Sequence, residues 1–200
     1  MGNRKEEILI VALHLFARDG YEAVSVSQIA GELDMTKGAL YRHYKSKRDI
    51  FDCIVQRMEQ RMEQRDGEQA EEYDMPQEEK EKMPEQYEAV SLDDFVEYSK
   101  SMFEYWTEDD FASSFRKMLT IEQFRSEEMQ KLYQQYLVAG PASYVKALFE
   151  SIGIVNAKDK AARFYAVMHF YYSLYDGAAD KEKVKVEFVS AIKSLVQDLA

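Results

Sequence analysis

The sequence predicts an all-α protein of 200 residues. Apolar residues recur at spacings of three and four through most of the chain, which is the period of an amphipathic helix. Serine or threonine stands before several of these stretches, where its side chain can cap the first backbone N–H groups of a helix. A hydrophobic share of 46% and a charged share of 32% are ordinary for a soluble folded protein.

The first helix is predicted to run from Arg4 to Arg18. Its apolar stripe is so wide that the helix must be enclosed on most sides. Asp19-Gly20 is expected to end it, because glycine tolerates the left-handed backbone that commonly follows a last turn. The stretch superficially resembles a secretory signal, but Glu6-Glu7 interrupts the pattern and no small-residue cleavage site follows. It is therefore predicted to be a helix of the folded protein.

Two short helices and a longer one are predicted next. Ser25 is expected to cap the helix "VSQIAGEL", and Thr36 a third helix that runs to about Tyr44. Asp34 stands in the tight turn between them, where it tolerates a left-handed backbone less well than glycine but better than most residues. Ser46 is expected to cap a fourth helix that begins at the next residue. This arrangement is typical of a helix-turn-helix unit.

The segment "SVSQIAGELDMTKGALYRHYKSKRDIF" resembles the DNA-binding segment of the TetR family of transcriptional repressors. The family pattern is roughly Thr, Ile-Ala, a turn, Ser, Gly, Leu-Tyr, His-Phe and Lys. At those positions this chain has Ser25, Ile29, Ala30, Thr36, Gly38, Leu40, Tyr41, His43, Tyr44 and Lys47. It departs from the family at Tyr44, which replaces phenylalanine, and at Asp34, which replaces the usual turn glycine. The resemblance implies an N-terminal three-helix DNA-binding domain with the start of a linker helix in residues 1–60. It also implies a C-terminal helical ligand-binding and dimerisation domain in residues 61–200.

The distribution of charge permits DNA binding. Residues 1–50 hold eight Lys and Arg against seven Asp and Glu, whereas the whole chain has a net charge of −11. Phosphate contact depends on the local basic patch, so an acidic second domain does not exclude it. The predicted DNA contacts are Ser25, Ser27, Gln28, Thr36, Lys37, Gly38, Ala39, Tyr41, Arg42, His43, Lys45, Lys47 and Arg48.

Reach divides these residues into two groups. Side chains in the first turns of a recognition helix meet base edges, so Lys37 and Arg42 can donate to guanine. Tyr41, Lys45 and Lys47 are expected at phosphates, and Arg48 could add a further phosphate contact. The family resemblance implies backbone contacts for Tyr41, His43 and Lys47.

Gly38 is unusual, because glycine inside a helix costs roughly 1 kcal/mol relative to alanine. Its missing side chain would allow close approach of the DNA backbone or of the preceding helix, and an accidental weak spot is the alternative. Leu40 and the ring of Tyr44 are expected in the core.

The rest of the chain is also predicted to be helical. The acid-rich stretch from Glu63 to Glu88 is expected to be a frayed helix end plus a connection, with a regulatory acidic tail as the alternative. Ser91 with Asp94 suggests the next cap. Gly140-Pro141 should break or kink a helix near residues 127–152. The stretch "AARFYAVMHFYYSLY" is apolar nearly all round, so it must be buried within the domain or against another chain.

Aromatic residues and methionines of the second domain could line an apolar effector cavity. The candidates are Tyr105, Trp106, Phe111, Phe115, Met118, Phe124, Tyr136, His169 and Tyr172. For each of them alone, core packing is the favoured interpretation, and His169 is the best polar candidate.

An enzyme is not expected, because the three histidines lie in separate helices without metal-ligand spacing and Cys53 has no evident activating partner. No metal or cofactor is predicted. The expected function is that of a cytoplasmic, homodimeric TetR-like repressor, whose partners are a double-stranded palindromic operator and a small-molecule effector, with no membrane. A constitutive DNA-binding protein without an effector is the alternative.

Overall fold

The computed structural model describes the backbone of residues 3–72 and 92–198 and the side chains of residues 4–65 and 94–198. Within these ranges the chain forms helices and turns and contains no strand, so the predicted all-α fold is confirmed. None of the described helices is long and apolar enough to cross a bilayer. The helices are α1 (Asn3–Asp19), α2 (Val26–Glu32), α3 (Lys37–Leu40), α4 (Lys47–Glu72), α5 (Leu92–Glu108), α6 (Asp110–Glu122), α7 (Glu127–Leu137), α8 (Ala139–Ser151), α9 (Ala157–Gly177) and α10 (Lys181–Gln197).

The chain divides into two compact units. The first contains residues 1–74 and 110–133, and the second contains residues 75–109 and 134–200. A segment from the middle of the chain therefore joins the N-terminal helices, because α6 packs against α1. The compact units are not the same as the two predicted functional domains. The boundary at residue 60 between the DNA-binding and regulatory domains stays a prediction.

The predicted caps of α2 and α3 are present. The Ser25 hydroxyl accepts the N–H of Gln28, and the Gln28 side chain accepts the N–H of Ser25, which completes a capping box. Thr36 accepts the N–H of Ala39 in the same way. Between the helices Asp34 has φ +52°, the left-handed conformation that the turn requires. Local polar contacts thus set the shape of the helix-turn-helix unit.

The third helix is shorter than the sequence predicts. Its α-helical part ends at Leu40, where we expected it to continue to about Tyr44. The N–H groups of Arg42 and His43 bond to carbonyls only three residues back, a tighter helical winding. Leu40 and Tyr44 are both buried, as predicted, and the Tyr44 hydroxyl donates to the Lys5 carbonyl at 3.0 Å. The segment is therefore anchored in the core by two side chains that lie four residues apart.

The fourth helix begins as predicted. The Ser46 hydroxyl accepts the N–H of Asp49 at 3.0 Å, and the Asp49 carboxylate accepts the N–H of Lys45 at 2.8 Å. This reciprocal cap fixes the residues immediately before α4. The acidic stretch predicted from Glu63 begins inside α4, which runs to Glu72. Residues 73–88 and the predicted cap at Ser91 lie outside the described residues.

Stacked aromatic rings form the core of the second unit. The ring of Phe103 in α5 stacks on Phe188 of α10 at 4.2 Å and on Tyr172 of α9 at 5.6 Å between centroids. The helix α9, which the sequence shows as apolar nearly all round, buries one face here and leaves Phe170 61% exposed. The single chain therefore covers only part of this helix.

The predicted break near Gly140-Pro141 is present and lies slightly earlier. Helix α7 ends at Leu137 and α8 begins at Ala139. Pro141 lies in the first turn of α8, where its missing N–H removes no helical hydrogen bond. A side chain at Gly140 would place Cβ 2.1 Å from the Gln135 carbonyl oxygen, so only glycine fits without a backbone shift.

We expect Gly140→Ala to lower the free energy of unfolding by about 1–3 kcal/mol, because the backbone must move to admit Cβ. Urea denaturation followed by circular dichroism measures this. Gly177→Ala is the matched control, since nothing lies within 4 Å of the added methyl group. Equal stability of the two variants would contradict the close approach.

Candidate nucleic-acid interface

The predicted DNA contacts lie on the helix-turn-helix unit and the turn before α4. Ala39 and Lys47 are half-buried. The others are exposed: Ser25, Ser27, Gln28, Thr36, Lys37, Gly38, Tyr41, Arg42, His43, Lys45 and Arg48. Leu40 and Tyr44 between them face the core. The segment thus presents its polar side to solvent while two apolar anchors hold it to the first unit.

Three of the cations are available to an external anion. Among the described residues, Lys37, Arg42 and Lys45 have no carboxylate within ion-pair distance and no side-chain hydrogen bond. Lys37 lies over the ring of Tyr41, with Nζ 5.8 Å from the ring centroid. This contact keeps the ammonium group exposed and leaves its N–H donors free to bind phosphate or base oxygens.

Lys47 is bound within the protein. Its Nζ donates to the carbonyl oxygen of Tyr21 at 2.8 Å and to that of Glu22 at 3.3 Å. The same ammonium lies 4.3 Å from the centroid of the Tyr21 ring. Its expected phosphate contact stays a prediction, whereas its contact with the α1–α2 turn is present without DNA.

Arg48 is also occupied. Its Nε donates to Asp52 at 2.7 Å, and its two terminal nitrogens form a fork on the Glu128 carboxylate of α7. These hydrogen bonds raise the pKa of the Arg48 guanidinium and lower the pKa of Glu128. A phosphate would have to displace Glu128 to reach this fork, so Arg48 is less available than its sequence position implies.

The space around Gly38 excludes one explanation for the presence of glycine at this position. A side chain added there would have the Thr36 hydroxyl oxygen as its nearest neighbour, at 4.0 Å. Close approach of the preceding helix is therefore not the reason for this glycine. Close approach of an external molecule, or an accidental weak spot, remains.

A residue that sequence reasoning missed lies in α6. Glu122 is 1% exposed, and its Oε1 accepts the N–H of Tyr21 at 3.0 Å. The sequence holds a weak signal, because Glu122 follows the buried Phe115 and Leu119 at helical spacing and so falls on the buried face. Its partner is 101 residues away in the chain, so no local pattern indicates the contact.

The predicted effector contacts do not all lie in one unit. Phe111, Phe115, Met118 and Phe124 belong to the first unit, and Tyr105, Trp106, Tyr136, His169 and Tyr172 to the second. Phe124 is 87% exposed in the turn after α6. The Nε2 of His169 donates to the Leu137 carbonyl at 2.8 Å. The effector contacts stay a prediction, and the best polar candidate already has a hydrogen bond.

Residues 8–54 match the family model of the bacterial regulatory proteins of the tetR family. The chain carries the N-terminal domain of the TetR family. The uncharacterized HTH-type transcriptional regulator YerO of Bacillus subtilis is 39% identical over 51 residues, which are 26% of this chain and 18% of that protein. The nucleoid occlusion factor SlmA of Escherichia coli is 38% identical over 58 residues, 28% of this chain and 29% of that protein. The match thus spans less than a third of these curated relatives.

Solved structures extend the likeness beyond the TetR-type domain. A transcriptional regulator from Rhodococcus sp. Rha1 superimposes with a TM-score of 0.65 at 14% identity, over 98% of this chain and 97% of that one. The fatty acid degradation regulator FadR from Bacillus halodurans gives 0.62 at 14% identity, over 100% and 95%. A TetR-family regulator from Pectobacterium atrosepticum gives 0.55 at 16% identity, over 98% and 94%. At these identities the likeness shows the fold alone, which the described residues share with these regulators.

We expect Lys47→Ala to lower the free energy of unfolding by about 1–2 kcal/mol in the absence of DNA, because two carbonyls of the α1–α2 turn lose a charged donor. Thermal and urea denaturation measure the change. Lys45→Ala is the matched control, since that exposed side chain has no described partner. A Lys47 variant as stable as the Lys45 variant would show that the contact contributes nothing to the fold.

Proposed function

We propose that this protein is a DNA-binding transcriptional regulator that acts as a repressor: it binds a palindromic operator as a homodimer and is released by a small-molecule effector. The observation that carries the proposal is the set of exposed cations Lys37, Arg42 and Lys45 on a TetR-type helix-turn-helix unit, which have no ion pair among the described residues. In a chain of net charge −11, these cations form a local patch that can bind phosphate.

The dimer is supported by apolar side chains that α9 and α10 leave exposed. Phe170 is 61% exposed on α9 and Val186 is 70% exposed on α10. Pairing of these helices between two copies would cover both, and a two-fold axis would make the operator palindromic. Light scattering at micromolar concentration tests this part, and a monomer mass would refute it.

Effector release is supported by the aromatic content of the second unit and by the fold shared with known regulators. One fold neighbour is a regulator of fatty acid degradation, although 14% identity carries only the fold to this chain. An effector would act if it bound more tightly to a conformation in which the two recognition segments no longer match successive major grooves. A constitutive DNA-binding protein is the second candidate. It would select operator sequences equally well but show no ligand that releases them.

The DNA-binding role is tested by selecting bound sequences from a random pool and then measuring affinity for the selected operator. We expect Arg42→Ala to weaken binding about fivefold to 150-fold, since a base or phosphate loses a charged donor. Lys45→Ala should weaken binding. It should also reduce the slope of log affinity against log salt concentration by about one, as loss of a phosphate contact does. Lys158→Ala, an exposed lysine of α9, is the control for net charge. The assignment fails if Arg42→Ala and Lys158→Ala bind alike.

Gly38→Ala separates DNA contact from stability. We expect it to raise the free energy of unfolding by up to about 1 kcal/mol, because alanine favours the helix and 4.0 Å of space is available. We also expect it to weaken operator binding, since the methyl group would stand between α3 and DNA. Gly31→Ala in α2, where nothing lies within 4 Å, is the matched control for helix propensity. Unchanged operator affinity in the Gly38 variant would leave the accidental weak spot as the explanation.

A further inference from the structure

A buried carboxylate of α6 holds the turn between α1 and α2. Glu122 is the last residue of α6 and is 1% exposed. Its Oε1 accepts the N–H of Tyr21 at 3.0 Å and lies 3.3 Å from Nε of the half-exposed Arg125. Burial of a carboxylate is costly unless donors compensate it. Glu122 therefore strongly favours the arrangement in which the Tyr21 amide points at it.

The turn is shaped to admit this carboxylate. Gly20 has φ +87°, a conformation that side chains disfavour. A Cβ at this position would also lie 2.7 Å from Oε1 of Glu122. The glycine is thus required twice, once by the backbone and once by the carboxylate next to it.

The opposite side of the same turn is held by α4. The carbonyl oxygens of Tyr21 and Glu22 accept N–H groups of Lys47 at 2.8 and 3.3 Å. The Tyr21 ring is buried between Phe16 and Phe51, each with a centroid distance of 5.1 Å. A carboxylate on the amide side and an ammonium on the carbonyl side therefore fix one peptide segment. We name Glu122, Tyr21 and Lys47 the turn clamp.

Lys47 of the turn clamp lies next to the segment that carries the predicted DNA contacts. Lys47 is the first residue of α4, and residues 41–45 with their exposed cations stand immediately before its cap. The Ser46 and Asp49 cap links the start of α4 to Lys45, so a shift of Tyr21 that moved Lys47 would also move Lys45. We propose that Glu122 is a positioning residue for DNA recognition, which acts through Tyr21 and Lys47 without touching DNA. This inference rests on the proposed DNA-binding function.

Two substitutions separate the reach of the side chain from its charge. Glu122→Gln keeps an oxygen at the same distance from the backbone, so the Tyr21 hydrogen bond survives and operator affinity should stay within about twofold. Glu122→Asp keeps the charge but is one methylene shorter, so the acceptor withdraws from Tyr21. We expect it to lose operator affinity about fivefold to thirtyfold, the upper part of the range of about twofold to thirtyfold for mutations that act on a ligand site through intervening residues.

Two readouts distinguish positioning from a general loss of stability. Affinity is measured at a temperature at which circular dichroism shows each variant fully folded, and Gly140→Ala in the second unit serves as the control for lowered stability. Hydrogen exchange of the Tyr21 amide, followed by NMR, should accelerate in Glu122→Asp and stay slow in Glu122→Gln. Glu122→Asp and Lys47→Ala should be non-additive in operator affinity, because both act on one turn.

The outcomes separate the two proposals. If the wild-type chain selects no DNA, the proposed function fails. If it selects DNA and Glu122→Asp binds no more weakly than Gly140→Ala, DNA binding stands and the positioning role is overturned. A measurement on the wild type alone covers the case in which the shortened variant does not fold. Coupling is reciprocal, so operator binding should slow exchange of the Tyr21 amide, and an unchanged rate would overturn the proposal.

Discussion

A carboxylate buried in a protein interior must find hydrogen-bond donors, and Glu122 finds the backbone N–H of Tyr21. Two features of the first unit make this contact possible. The α1–α2 turn requires glycine at position 20 to leave room for the oxygen, and α6 must lie against α1 to bring the oxygen there. Residues 110–133 consequently form one compact body with residues 1–74, although residues 75–109 separate the two segments along the chain. The position of a helix in the sequence therefore does not by itself show whether it belongs to the first or the second unit.

The cations of the helix-turn-helix unit differ in availability, and this difference matters more than their number. Lys47 and Arg48 are engaged by carbonyls and by the Asp52 and Glu128 carboxylates, so they shape the unit before DNA arrives. Lys37, Arg42 and Lys45 retain free donors among the described residues. Phosphate contacts position a protein and base contacts specify sequence, and both need donors that are not already satisfied. The division of labour between structure and recognition thus runs between neighbouring residues of one short segment.

How far the sequence could predict this arrangement depends on the distance between partners. The Ser25 and Thr36 caps, the left-handed Asp34 and the buried Leu40 follow from interactions within a few residues, so local rules identify them. Lys47 meets Tyr21 across 26 residues, Arg48 meets Glu128 across 80 and Glu122 meets Tyr21 across 101. No local pattern contains these pairs. A lysine that binds a carbonyl and a lysine that binds a phosphate look identical in a sequence, so the contact of Lys47 with the α1–α2 turn is not predictable from it, and its phosphate contact stays a prediction.

In the second unit, the contacts among aromatic residues bear on whether a small molecule could bind there. Several of its aromatic residues already contact other groups of the protein. Phe103 stacks on Phe188 and Tyr172, and His169 donates to a backbone carbonyl. Such contacts are worth roughly 0.5–1.5 kcal/mol per aromatic pair beyond burial, so a ligand that inserted among these rings would have to replace them with contacts of its own. An effector need not fill a space already present if it selects a minor conformation in which the rings have separated. In that case its apparent affinity would fall by the population of that conformation, and substitutions that loosen the Phe103 stack would strengthen effector binding while weakening the fold.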